Sequence, residues 1–205
     1  MSAIERVLVV PRWAGTPSSD WYPWLGRSQL GRGSSGRRRP SSVGRGGLVH
    51  TLQMPDPELP TIERWTGALS RALGDDPEEL ERTILIGHSV GAQTVLRTLA
   101  TLPEGLAVAG ILLVAGWWSL DRPWDAIRPW TQEPFDYSRA KAAARRRLVL
   151  LSDDDPFTKD SQAEKQLFEQ LLSAQVQIHP GRQHYNQKEE PLVLSALREL
   201  LTEGR

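Results

Sequence analysis

The chain has no cysteine among its 205 residues. A disulfide, a thiolate metal site and a cysteine nucleophile are therefore excluded. A cytoplasmic location is the expectation, which this composition allows without requiring. An excess of either charge is also missing: 25 Lys plus Arg face 25 Asp plus Glu, for a formal net charge of zero. That balance argues against nucleic acid as a main partner, because phosphate backbones are bound by concentrated positive charge. No stretch approaches the roughly 18 consecutive apolar residues that a membrane helix needs. The opening MSAIERVLVVP carries charge where a secretory signal would be apolar, and it lacks a small-residue cleavage site.

What the chain does have is a regular alternation of β-rich and helical stretches. Apolar runs at 6–10, 48–53, 83–87, 109–114, 148–151 and 176–179 read as strands. Four of them are nearly continuous, as expected for strands covered on both faces of a parallel sheet. Between them, 61–73, 92–102, 160–174 and 190–203 carry apolar stripes at helical spacing, through Ile62, Trp65, Leu69 and Leu73, through Leu167, Phe168 and Leu171, and through Leu192, Leu197 and Leu200. Strand and helix alternating in this way predict βαβ units. The expected class is α/β: one domain over 1–205, with a mostly parallel, doubly wound sheet of about six strands flanked by helices.

Two stretches interrupt the pattern. Residues 27–47 hold six Arg, six Gly and five Ser in 21 positions, with no acidic residue and almost nothing to bury. Such a segment cannot offset its own ordering entropy and is expected to be a flexible insertion. No aromatic is interleaved there for base stacking. Residues 116–137 hold Trp117, Trp118, Trp124 and Trp130, four of the eight tryptophans, together with three prolines that argue against a long helix.

Residues 83–91 read TILIGHSVG. A strand meets a helix across one serine between two glycines. Serine at such a bend sits in a strained backbone position that lifts its Oγ above the sheet edge, while the N–H groups that follow point into the same space. Ser89 is thus a candidate nucleophile. It needs a base. Four histidines are present. His88 adjoins Ser89 and should point elsewhere on a tight bend, as a structural residue. His50 lies within a strand and is expected to pack. His179 ends the last strand before a proline. His184 follows in GRQHYN, a loop beyond the last strand, where catalytic groups of open α/β sheets gather. His184 is the preferred base. The third member is a carboxylate that orients the imidazole. The strand 148–151 runs into Asp153, Asp154 and Asp155, with Pro156 keeping its predecessor extended. One of these acids can reach His184, and the others would cap the next helix or face solvent. Serine, acid and histidine in that chain order is the α/β-hydrolase order.

VVP, DWYPWL, MPDP, GHSVG, SDDDPF and GRQHYN, in this order, resemble the small serine hydrolases of the retinoblastoma-binding serine hydrolase type, which include the bacterial YdeN-like proteins. The likeness covers about 5–26 and 48–203. It implies an α/β-hydrolase fold with minimal or no lid and a Ser–Asp–His triad made of Ser89, Asp155 and His184. Three places depart from the family pattern, one being the Arg/Gly/Ser segment at 32–47, which looks inserted. Pro11-Arg12-Trp13-Ala14-Gly15 stands where the first-strand loop usually reads PGxGG, and Gln183-His184-Tyr185 replaces a Gly-His-Phe context.

The resulting expectation is a hydrolase of small ester or amide substrates working through an acyl-enzyme, without metal or organic cofactor. The backbone N–H of Val90, with that of Trp13 or Arg12, would form the oxyanion hole, and Trp117 and Trp118 would line the acyl pocket. A small-molecule acyl substrate is the expected partner, and no protein partner is identified. Two rival readings use the same scaffold. One is a non-catalytic protein-binding module. The other is a thioesterase or acyltransferase with the same triad.

Overall fold

A computed structural model describes residues 3–28, 47–158 and 160–202. The Arg/Gly/Ser-rich 27–47 stretch lies outside the described residues except at Arg27, Ser28 and Gly47. Among the described residues there are six strands: β1 (Arg6–Val10), β2 (Val49–Thr51), β3 (Thr83–His88), β4 (Gly110–Val114), β5 (Arg147–Ser152) and β6 (Gln175–His179). All pair in parallel, in the order β2-β1-β3-β4-β5-β6. The helices are α1 (Tyr22–Arg27), α2 (Ile62–Leu73), α3 (Pro77–Leu80), α4 (Val90–Ala100), α5 (Arg128–Gln132), α6 (Tyr137–Ala142), α7 (Ser161–Leu172) and α8 (Pro191–Thr202).

The continuous apolar strands have the reason anticipated for them. Successive side chains point to opposite faces, and both faces are covered. Leu8, Val10, Leu85, Ile111, Leu113, Val149 and Leu151 pack with α2, α4 and α7. Their neighbours Val7, Val9, Ile84, Ile86, Leu112, Val114, Leu148 and Leu150 pack with α1 and α8. Helix faces are set less well by the stripes read from sequence. In α7 the buried positions are Glu164, Phe168 and Leu172, while Leu167 and Leu171 are half-buried. In α8 Val193, rather than Leu192, turns to the core beside Leu197 and Leu200. The proline-rich 116–137 stretch does contain helix, because Pro129 sits in the first turn of α5, where its missing N–H breaks no bond.

The chain runs from β1 outward to β2, then returns to place β3 on the other side of β1. The order reverses between β1 and β3, so their C-terminal ends open a crevice there, the usual ligand position in open α/β sheets. Among the described residues, no helix is long and apolar enough to cross a membrane.

Candidate active site

β3 ends at His88 and α4 begins at Val90, leaving Ser89 as the whole turn, with φ 56° and ψ −119°. That region disfavours a side chain and costs about 1–3 kcal/mol. The flanking glycines answer to contact, not only to flexibility. A Cβ at Gly87 would lie 2.6 Å from the N and Cα of Ala92. One at Gly91 would run into the carbonyl oxygen of Val10 and lie 2.6 Å from that of Pro11. The N–H of Ser89 donates to the Val114 carbonyl at 2.9 Å, and the side chain makes no capping hydrogen bond. The hydroxyl is therefore not spent on the helix it precedes.

His184 sits in the loop between β6 and α8 and is buried. Its Nδ1 lies 2.8 Å from Oδ2 of Asp155, itself buried. An ionised carboxylate only accepts, so Nδ1 carries the proton and Nε2 is left as the acceptor. The other carboxylate oxygen, Oδ1, accepts from the N–H of Phe157 at 3.0 Å. Of the three-acid run, Asp155 meets the base and Asp153 and Asp154 are exposed, one of the two expected outcomes, yet both exposed acids are also engaged. Asp153 Oδ1 accepts the N–H of Gly181 at 3.0 Å, and Asp154 Oδ1 accepts that of Gln183 at 2.7 Å. Helix α7 is capped instead by Asp160, which takes the N–H of Ala163. All three carboxylates thus grip the histidine loop. Hydrogen bonds from Ser152 Oγ and the Gln183 N–H hold the Asp154 carboxyl below its usual range. That loop needs gripping: Gly181, Gln183 and Tyr185 have φ of 66°, 48° and 55°.

The loop after β1 supplies the third wall. Arg12 donates its backbone N–H to Tyr22 Oη at 3.1 Å. Its guanidinium binds the Asp20 carboxylate through Nε at 2.8 Å and the Trp13 carbonyl at 2.8 Å. Among the described residues, no acceptor meets the N–H of Trp13 or that of Val90. Of the two residues weighed for a second anion-binding N–H, Arg12 has already used its own.

Ser89, Val90, Arg12, Trp13 and His184 line one solvent-open cleft of about 480 Å³, completed by Trp117, Leu120, Trp124, Ile127, Phe157 and Asn186. Trp117 is thus placed at the cleft. Trp118 is not. Its ring packs 5.2 Å from Phe168 and 6.0 Å from Phe135, and its backbone N–H donates to Glu164 Oε2 at 2.6 Å. Trp130 is buried against Trp65 and donates Nε1–H to the Pro60 carbonyl. Trp124 is 46 % exposed at the mouth, 4.8 Å from Trp13 and 5.2 Å from Phe157. Phe157 was not legible as a site residue, although it belongs to the SDDDPF run. Its ring stands edge-on to His184 at 4.6 Å. Glu164 does not line the cleft but holds the 118–119 segment next to Trp117. It takes the N–H groups of Trp118 and Ser119 and the Ser119 hydroxyl, although burial pushes its carboxyl up. The stripe read from sequence ran through Leu167, Phe168 and Leu171, and only the buried set of α7 puts Glu164 in register with Phe168 and Leu172.

The remaining histidines are elsewhere. His50 is half-buried in β2, and His179 meets Gln177 Oε1 at 3.2 Å. His88 points away from the cleft, with Nδ1 2.7 Å from Tyr22 Oη and Nε2 2.8 Å from the carbonyl oxygen of His184. Among the described residues, no group of three or more His, Asp or Glu is arranged to hold a metal ion.

A family model described as serine hydrolase matches residues 43–201. YdeN of Bacillus subtilis (strain 168) is 27% identical over 177 residues, covering 86% of this chain and 84% of its own. The crystal structure of the ydeN gene product superposes with a TM-score of 0.76 at 25% identity, covering 96% of this chain and 98% of that one. Est1E from Butyrivibrio proteoclasticus shares the fold alone, with a TM-score of 0.65 at 12% identity over 99% of this chain and 89% of its own. Sheet, helices and these likenesses together define an α/β-hydrolase fold, and the chain belongs to the serine hydrolase family.

Proposed function

We propose that the protein hydrolyses small esters or amides with an apolar acyl group, through Ser89, His184 and Asp155. The observation that carries this reading is the buried His184–Asp155 pair at 2.8 Å, whose imidazole lines the same cleft as a serine held at φ 56° with its side chain uncommitted to capping. His184 Nε2 takes the proton from Ser89 Oγ as Oγ bonds to the substrate carbonyl carbon. Asp155 keeps the proton of the imidazole on Nδ1 and stabilises the imidazolium that forms. The carbonyl oxygen gains negative charge between the N–H groups of Val90 and Trp13. Donors aimed at developing charge contribute roughly 3–4 kcal/mol each in a site shielded from water. The imidazolium then protonates the leaving group, and the acyl-enzyme is hydrolysed by water with His184 as base again. Trp117, Leu120, Ile127 and Phe157 offer the acyl group an apolar wall.

A fluorophosphonate probe should label the wild type and leave Ser89→Ala unlabelled. A panel of p-nitrophenyl esters should be turned over by the wild type alone. A wild type inert to both probe and panel would overturn the reading.

A further inference from the structure

The residue before the nucleophile has no part in the scheme above, yet it touches both loops that do. His88 is fully buried, and each ring nitrogen has one partner. The carbonyl oxygen of His184 can only accept, so His88 Nε2 carries a proton and donates it. A second proton on Nδ1 would make the ring a cation, shielded from water and 5.5 Å from the His184 ring. Nδ1 is therefore the acceptor, and the Tyr22 hydroxyl donates to it at 2.7 Å. The same hydroxyl accepts the N–H of Arg12 at 3.1 Å. Every proton in the chain is thereby assigned. It runs from the Arg12 N–H to Tyr22 Oη, from the Tyr22 O–H to His88 Nδ1, and from the His88 Nε2–H to the His184 carbonyl.

The ends of that chain matter. Arg12 precedes Trp13, whose N–H is the proposed second oxyanion donor. His184 is the proposed base, and its backbone is bent on both sides, with positive φ at Gln183 and Tyr185. Backbone of this kind persists only where its surroundings over-determine it. A parallel bond supports the same join: Trp21 Nε1–H donates to the carbonyl of Tyr185 at 3.0 Å.

We infer that His88 is a positioning residue of this reaction: its imidazole, through Tyr22, ties the loop carrying the base to the loop carrying the second oxyanion N–H, behind the nucleophile turn. The inference rests on the serine-hydrolase reading. Burial and the neighbouring His184 hold the His88 ring well below its ordinary 6.5, which favours the neutral ring that the geometry requires.

The test uses the full chain. In ¹⁵N-histidine NMR, His88 should remain the Nε2–H tautomer at every pH at which the protein is active, and an Nδ1–H or doubly protonated ring overturns the proposal. His88→Ala should lower kcat about 100-fold, the scale of a misplaced catalytic group, with KM nearly unmoved. His88→Gln, whose amide can donate to the His184 carbonyl and accept from Tyr22, should recover most of that loss. Tyr22→Phe should weaken inhibition by phenylboronic acid about tenfold, because the tetrahedral adduct places an oxygen between the two N–H donors. Since Tyr22 and His88 act as one chain, the double variant Tyr22→Phe/His88→Ala should be no worse than His88→Ala. If His88→Ala does not fold, the Gln and Phe variants carry the same comparison. A His88→Ala enzyme with near-native kcat, a loss confined to KM, or effects of the two substitutions that multiply would overturn the proposal alone. A wild type inert to both the fluorophosphonate and the ester panel overturns the hydrolase reading, and the proposal with it.

Discussion

The nucleophile turn at 87–91 and the histidine loop at 180–186 both hold non-glycine residues at positive φ, but by different means. At the turn the constraint is steric. α4 starts so close to the ends of β1 and β3 that only hydrogen fits at Gly87 and Gly91. The histidine loop has open space around its one positive-φ glycine, Gly181. It is held by directed bonds from distant residues: Asp153 and Asp154 on its N–H groups, Asp155 on the ring, His88 and Trp21 on its carbonyls. Repulsion fixes the nucleophile and polar attachment fixes the base. The first is inseparable from the fold. The second can be dismantled bond by bond.

Four experiments press on that difference. The largest effect is expected at the base. Asp155→Asn should lower turnover about 10⁴-fold by favouring the wrong imidazole tautomer, with little change in melting temperature; a comparable loss of stability would show that the loop is integral to the core after all. Next comes Gly91→Ala, which forces a methyl group onto the Val10 and Pro11 carbonyls. It should destabilise the fold by about 3 kcal/mol or more, read from urea unfolding. A native unfolding midpoint would break the steric half of the comparison. Ser152→Ala removes the hydroxyl that accepts the Arg182 N–H and donates to Asp154. A loss of about 1–2 kcal/mol is expected, with a fall of about tenfold in kcat, so that activity fails before the fold does.

The smallest effect is electrostatic. Hydrogen bonds from Ser152 Oγ and the Gln183 N–H hold the Asp154 carboxyl below its ordinary 3.8. The unfolded chain therefore binds a proton there more readily than the folded one, and stability rises with pH across that window. The Asp154 contribution is complete above pH 3.8 and is lost as pH falls through the lower folded value. Acid unfolding of Asp154→Asn beside wild type should show a difference at neutral pH that shrinks below that point. A difference independent of pH would mean that shape, not charge, holds Gln183.

The same contrast explains what could be read in advance. GHSVG announces itself because steric rules act between neighbours in the chain: a strand, a helix and the glycines their contact demands lie within nine residues. The histidine loop was placed only by position, after the last strand. Choosing Asp155 from three consecutive acids needed the family likeness. That the other two would also hold this loop was not legible, because their partners, Gly181 and Gln183, lie 28 and 29 residues further on. Trp117 and Trp118 were indistinguishable as adjacent tryptophans. One lines the cleft and the other packs on Phe168 because consecutive side chains leave the backbone in different directions.

The sequence by itself determined the parallel sheet and the turn that carries Ser89, since hydrophobic period and steric exclusion are local and repeat along the chain. Tertiary structure alone decided that Asp153 and Asp154 also hold the histidine loop, that the Arg12 N–H is taken by Tyr22, and that His88 binds two loops. Those outcomes depend on hydrogen bonds between segments far apart in the chain, whose angles and distances exist only after the layers have packed.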